Sequence, residues 1–235
     1  GNDPNYPDGV YVMGGEFGPD PKRVGAVTDY VTLVDTSAGG PTGPNNGCYD
    51  LALMDTAGTR MIVDMQYTGE LTGSQHLDST VGNVTGFEGN SLAREMSMRT
   101  TGTGTSSGET VTFDLDLRSY QRRSADAEVT EYGSVLVSGM LQGGITGSIT
   151  TKIVWNPPVV NKQYRLAIGQ SYSLSRTGRS TATMVFAGQT LSNTDTSLSY
   201  TETVKYVGRE SVSVPAGTYN TCKFETRTTT GGGVA

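Results

Sequence analysis

The stretch Glu109-Thr110-Val111-Thr112-Phe113-Asp114-Leu115-Asp116-Leu117 decides the fold class. Val111, Phe113, Leu115 and Leu117 fall at every second position, with Thr110, Thr112, Asp114 and Asp116 between them. Successive side chains of a strand point to opposite faces, so this period of two predicts a half-buried antiparallel strand, apolar inside and wet outside. Burial of its large side chains stabilises by about 1.5–3 kcal/mol each.

The same signal extends outward on both sides. Thr59 to Tyr67 puts Met61, Val63, Met65 and Tyr67 on one face, while Ala127 to Leu141 and Gly147 to Trp155 read as further strands. Beyond them the pattern predicts a strand over Tyr164 to Ile168 and Gln170 to Leu174, bulged at Gly169, and others at Ser180 to Phe186, Ser197 to Val207, Glu210 to Val214 and Thr221 to Thr229. In the strand at Ser197, Leu198, Tyr200, Val204 and Tyr206 share a face that only Glu202 interrupts. Ser91 to Met98 is the nearest approach to a helix, and it alternates as readily as it helicalises. The expected class is all-β, with antiparallel sheets forming two sandwich-like or open curved-barrel units.

Composition agrees. The 32 glycines, with 34% hydrophobic and 17% charged residues, suit short strands joined by Gly-rich turns rather than charged disorder. Consecutive prolines cannot sit inside a central strand, so Pro157-Pro158 marks the expected boundary between halves. This gives a Pro/Gly-rich leader at 1–47 with one strand (Ala26 to Val34), a β unit at 48–156 and a second at 157–235.

A net charge of −6 argues against nucleic-acid binding, which needs a basic stripe. The one basic cluster, Arg118, Arg122 and Arg123, sits among carboxylates and reads as a solvated strand end. No apolar run approaches the length that spans a bilayer. Cys48 and Cys222 either close one long loop through a disulfide, as an oxidising compartment permits, or are two separate buried thiols.

No catalytic constellation assembles. His76 is the only histidine, is read as a loop residue, and has no Gly-x-Ser-x-Gly elbow to accompany it. Asp114 and Asp116 have a spacing suited to paired carboxylates, but occupy the solvent face, where a general acid lacks the environment it needs. Asn2, Asp3, Asp8 and Asp20 do not match a calcium loop, and Gly102 to Gly108 lacks the Gly-Lys-Ser/Thr ending of a phosphate loop. No cofactor or metal is expected, and a carboxylate-dependent hydrolase is the weakest reading. Met61, Met65, Met96 and Met98 either fill a core or line an adaptable apolar cavity.

One stretch has family character. Val207-Gly208-Arg209-Glu210-Ser211-Val212-Ser213-Val214-Pro215-Ala216-Gly217-Thr218-Tyr219-Asn220-Thr221-Cys222-Lys223-Phe224 resembles a hairpin common in uncharacterised bacterial envelope proteins of the DUF3108-like group, loosely related to lipoprotein carriers of the LolA/LolB type. Pro215 fixes φ at the turn, Gly217 supplies a permissive backbone and Thr218 starts the return strand, with Cys222 and Phe224 expected against Val212 and Val214. The leader Gly1 to Gly9 resembles the tether that follows the lipidated cysteine of a bacterial lipoprotein. These resemblances imply an exported, non-enzymatic binding or structural protein of the periplasm or cell surface. Its partner would be a lipid or another envelope protein, and membrane attachment would come only through an N-terminal lipid anchor. The alternative they imply is a lipid or lipoprotein carrier with an apolar cavity. The tract ending at Ala235 leads to the expectation that a further strand follows.

Overall fold

The computed structural model describes residues 47–67, 71–106, 109–142, 145–214 and 217–230. The leader, its strand at Ala26 to Val34, the calcium candidates, Pro215 and the C-terminal tract lie outside these residues. Nine antiparallel strands follow one another as a meander: β1 Arg60–Tyr67, β2 Leu71–Val84, β3 Arg94–Ser106, β4 Glu109–Arg123, β5 Val129–Gln142, β6 Ile145–Asn161, β7 Ser171–Phe186, β8 Gln189–Val214 and β9 Gly217–Thr230. Each pairs with its neighbours in sequence, in a single sheet that does not close. The all-β antiparallel class is therefore what the alternation predicts.

Register turns alternation into two faces, because directly opposed residues share a face. One row runs Met61, Ser79, Met98, Leu117, Leu136, Thr151 and Ala182 from β1 to β7. The next runs Val63, Leu77, Thr100, Leu115, Ser138, Ile149 and Met184. This face is apolar from β1 to β6 and thins to Ser, Thr and Ala on β7 and β8. The opposite face is polar and carries cross-strand ion pairs, among them Arg60–Asp78 at 2.5 Å and Arg99–Asp114 at 3.5 Å. Exposed pairs of this kind contribute about 0–1 kcal/mol each, so they fix register more than they stabilise.

The core gathers at one end of the apolar face. Val159, Leu166, Leu174, Val204, Tyr206, Cys222 and Phe224 pack there with Cys48, flanked by Trp155, Tyr164 and Tyr172. Two segments cover that end. One is the loop between β6 and β7, containing a turn of 3-10 helix at Gln163–Arg165. The other is residues 47–55, a strap that includes the short helix α1 Leu51–Asp55, whose Leu53 N–H is capped by the Asp50 carboxylate.

The strap also reveals the curvature of the sheet. Cys48 is bonded to Cys222 in β9, with the Cα atoms 6.0 Å apart. Tyr49, one residue on, donates to the Ser124 carbonyl beyond β4 and packs with Ala127 and Val129 of β5. A chain step of about 3.8 Å thus links contacts roughly 19 Å apart along a flat sheet, at ~4.8 Å per strand. The two side chains supply part of that reach and inward bending supplies the rest, making the sheet an open trough with its apolar face inside.

Several local expectations are corrected. Residues 164–168 form no strand; the turn at Gln163–Arg165 precedes β7, which starts at Ser171. His76 lies within β2, directly opposite Asp64, and not in a loop. Gly102 to Ser106 belong to β3. β8 is one strand where the sequence suggested two, and a register shift at Tyr206–Gly208 places Val212 opposite Tyr219, on the other face from Cys222. Cys222 and Phe224 accordingly pack with Tyr206 and Val204. Pro157 and Pro158 lie within β6, which pairs with β7 as far as Trp155 and regains β5 at Val159. The missing proline N–H groups therefore fall where neither ladder needs them.

Candidate functional site

The apolar face is the candidate site, and its two ends differ. At the covered end the side chains are fully buried: Cys48 is 0%, Cys222 2% and Phe224 2% exposed. Phe224 stacks tilted on Tyr206 at 4.9 Å and edge-on to Tyr164 at 5.9 Å. Along the rest of the face Met96, Met98, Leu115, Leu117, Leu136, Ile149 and Ile153 are only half-buried, and Met61 at the β1 edge is 47% exposed. The methionines expected to line a core or a cavity thus divide: Met61, Met96 and Met98 share this face, whereas the side chain of Met65 lies outside the described residues. The side chains of Val111 and Phe113 do too.

Where the apolar strip meets the covered end stands a charge cluster that sequence reading missed. Arg176 in β7 is 8% exposed. Its Nη1 and Nη2 donate to the Glu131 carboxylate at 2.6 and 3.2 Å, and its Nε donates to Glu202 at 2.6 Å. Burial opposes the guanidinium charge, but the hydrogen bonds and charges of Glu131 and Glu202 outweigh it and hold Arg176 protonated. The guanidinium carbon also sits 5.4 Å from the Trp155 ring. Tyr172 donates to Asn161 Oδ1 at 2.6 Å, and Asn161 donates to Glu131 at 3.4 Å. Burial pushes the Tyr172 hydroxyl up to about 12. The signal for this cluster was present: Arg176 and Glu202 are charges of opposite sign at inward positions of adjacent alternating strands.

Four contacts besides the disulfide hold the strap. Arg209 donates to the Gly47 carbonyl at 2.6 Å, Tyr49 to the Ser124 carbonyl at 2.9 Å, Arg123 to the Met54 carbonyl, and Arg94 to Asp55 at 3.0 Å. Arg123 is therefore no solvated residue; desolvation beneath the strap lowers its pKa. Burial likewise raises Tyr49 to about 12.

The remaining sequence candidates stay apart. His76 Nδ1 is 2.6 Å from Asp64 Oδ1 on the exposed polar face. Asp114 faces Arg99 and Asp116 faces Arg118, both at 3.5 Å and in solvent. Gly217 and Thr218 begin β9, opposite Val214 and Ser213. A recess of about 620 Å³ opens on the polar face between β6 and β8. Its charges neutralise one another as Lys152–Glu88 and Arg179–Asp195 pairs. Among the described residues no group of three or more His, Cys, Asp or Glu could hold a metal ion, and no helix is long and apolar enough to cross a membrane.

No protein-family model, curated protein or solved structure matches the chain.

Proposed function

We infer that this protein is an exported, non-enzymatic binding protein of the bacterial cell envelope whose trough takes a hydrophobic ligand. The ligand class is a lipid acyl chain or the acylated end of a lipoprotein. One observation carries the reading: the apolar face from β1 to β6 is continuous in register yet only half-buried, while the filled core is confined to the strapped end. A sheet that needed only a core would cover this face with other elements of its own. Each methylene laid into the trough gains about 0.8 kcal/mol, so a long acyl chain is a favourable occupant even after the cost of ordering it.

The buried bond between Cys48 and Cys222 supports an oxidising compartment. The hairpin and leader resemblances support the envelope. Native mass spectrometry of the protein isolated from its own source tests the reading. The expected result is a lipid-sized mass addition lost on activation in the gas phase. A bare chain mass, together with no uptake of added hexadecanoic acid, would rule the carrier out.

A further inference from the structure

We propose that residues 47–55 are a redox-released latch on the closed end of the trough, fastened by the Cys48–Cys222 bond; this rests on the apolar face being a ligand site. The disulfide joins positions 174 residues apart and is the covalent fastening between the strap and the far edge strand. The strap's other attachments are single hydrogen bonds and one ion pair, spread over β3, β8 and the ends of β4. Its helix has five residues and no buried side chain, so it has little structure of its own once unfastened.

Beneath the strap lie the side chains that would extend the trough. Tyr206, Phe224 and Val204 are sealed by Cys48, and Tyr49 rests against Tyr164 with ring centroids 5.1 Å apart. Lifting the strap exposes this surface in line with the strip formed by Leu117, Leu136 and Ile153. The closed form thus bounds the ligand at one end, and the open form offers an exit there.

The chemistry is thiol–disulfide exchange with an external dithiol. A thiolate of the dithiol attacks one cysteine Sγ, forming a mixed disulfide and expelling the other cysteine as a thiolate. The second thiol of the reductant then closes its own disulfide and releases the first cysteine. Two electrons and two protons pass from the dithiol to the cysteine pair. Because both sulfurs are shielded, attack requires the strap to lift, so the rate of reduction reports latch opening.

The test compares the oxidised chain, the dithiothreitol-reduced chain and the Cys48→Ser/Cys222→Ser variant. Hydrogen exchange is followed at the amides of Leu53 and Met54, and at β6 and β7. Dissociation of a pyrene-labelled hexadecanoic acid is followed by fluorescence. The latch predicts that the strap amides lose protection on reduction while β6 and β7 keep theirs. It also predicts that the probe leaves on the order of tenfold faster, the size of a typical coupling between two sites. If the serine variant does not fold, the reduced chain carries the comparison. Strap amides that stay protected after reduction overturn the proposal, as does loss of protection throughout the sheet. Equal probe release from both forms overturns the latch's control and leaves the ligand reading intact. A probe that binds neither form overturns the ligand reading and, with it, the latch.

Discussion

Replacing Arg176 with methionine keeps much of the side-chain volume but leaves Glu131 and Glu202 facing each other without a cation. The three bonds lost are short, and the carboxylates' side chains are 26% and 18% exposed, so water cannot take over the role of the guanidinium. Removing one partner of a buried ion pair costs about 3–5 kcal/mol. That is a large part of a total stability of about 5–15 kcal/mol. With a urea slope of about 2–3 kcal/mol/M for a chain of this size, the midpoint should fall by roughly 1–2 M. Trp155 is the sole tryptophan and lies against Arg176, so its fluorescence reads the transition directly. The companion variant Glu131→Gln/Arg176→Met/Glu202→Gln removes the repulsion and should recover at least half of the loss. The reasoning is refuted if Arg176→Met shifts stability by no more than about 0.5 kcal/mol, the scale of an ordinary surface change. It is equally refuted if the triple variant is as unstable as the single one.

Three further outcomes follow from the same geometry. Phe224→Ala, at the filled end, should cost about 3–5 kcal/mol, and Leu117→Ala on the half-buried face only about 1 kcal/mol; urea titration of both checks that the core sits at one end. Stability should fall above pH 10: Tyr49 and Tyr172 ionise near 10 when unfolded but near 12 when folded, so their contribution is whole below pH 10 and lost as pH rises toward 12. For Tyr49 the loss is on the order of 1–2 kcal/mol, and Tyr49→Phe should remove its share of the slope in alkaline titration. Gly178→Ala would place a Cβ 2.3 Å from the Val154 carbonyl and 2.9 Å from the Trp155 ring. It should destabilise by about 1–3 kcal/mol and shift the Trp155 emission, whereas unchanged emission would mean that the ring does not lie over Gly178.

How far the sequence could be read depended on whether a strand's own residues reveal its two faces. β4 was legible because Leu115 and Leu117 alternate with Asp114 and Asp116. β2 was not: Thr72, Ser74, His76 and Asp78 alternate with Gly73, Gln75, Leu77 and Ser79, giving weak contrast, and this strand exists because β1 and β3 pair with it on both sides. The turn at Gln163–Arg165 was misread because Tyr164 and Leu166 are apolar for a different reason, namely to reach down onto the covered core. Register shifts are invisible to a period-two count, which is why Val212 was assigned to the face of Cys222. The Arg176 cluster draws on β5, β7 and β8, with partners 45 and 26 residues away, and only the pairing of strands brings them together. Charge pairs on the polar face were equally hidden, since Arg60 and Asp78 meet only across β1 and β2.

The central claim, that the inner face of the trough takes a hydrophobic chain, is tested most directly by methyl NMR with a spin-labelled fatty acid. Leu136 and Val137 are consecutive in β5 and point to opposite faces, and Val137 is the more exposed of the two. The account predicts strong broadening of the Leu117, Leu136 and Ile149 methyls and none at Val137. Broadening of Val137 without Leu136, or no broadening at saturating fatty acid, would contradict it.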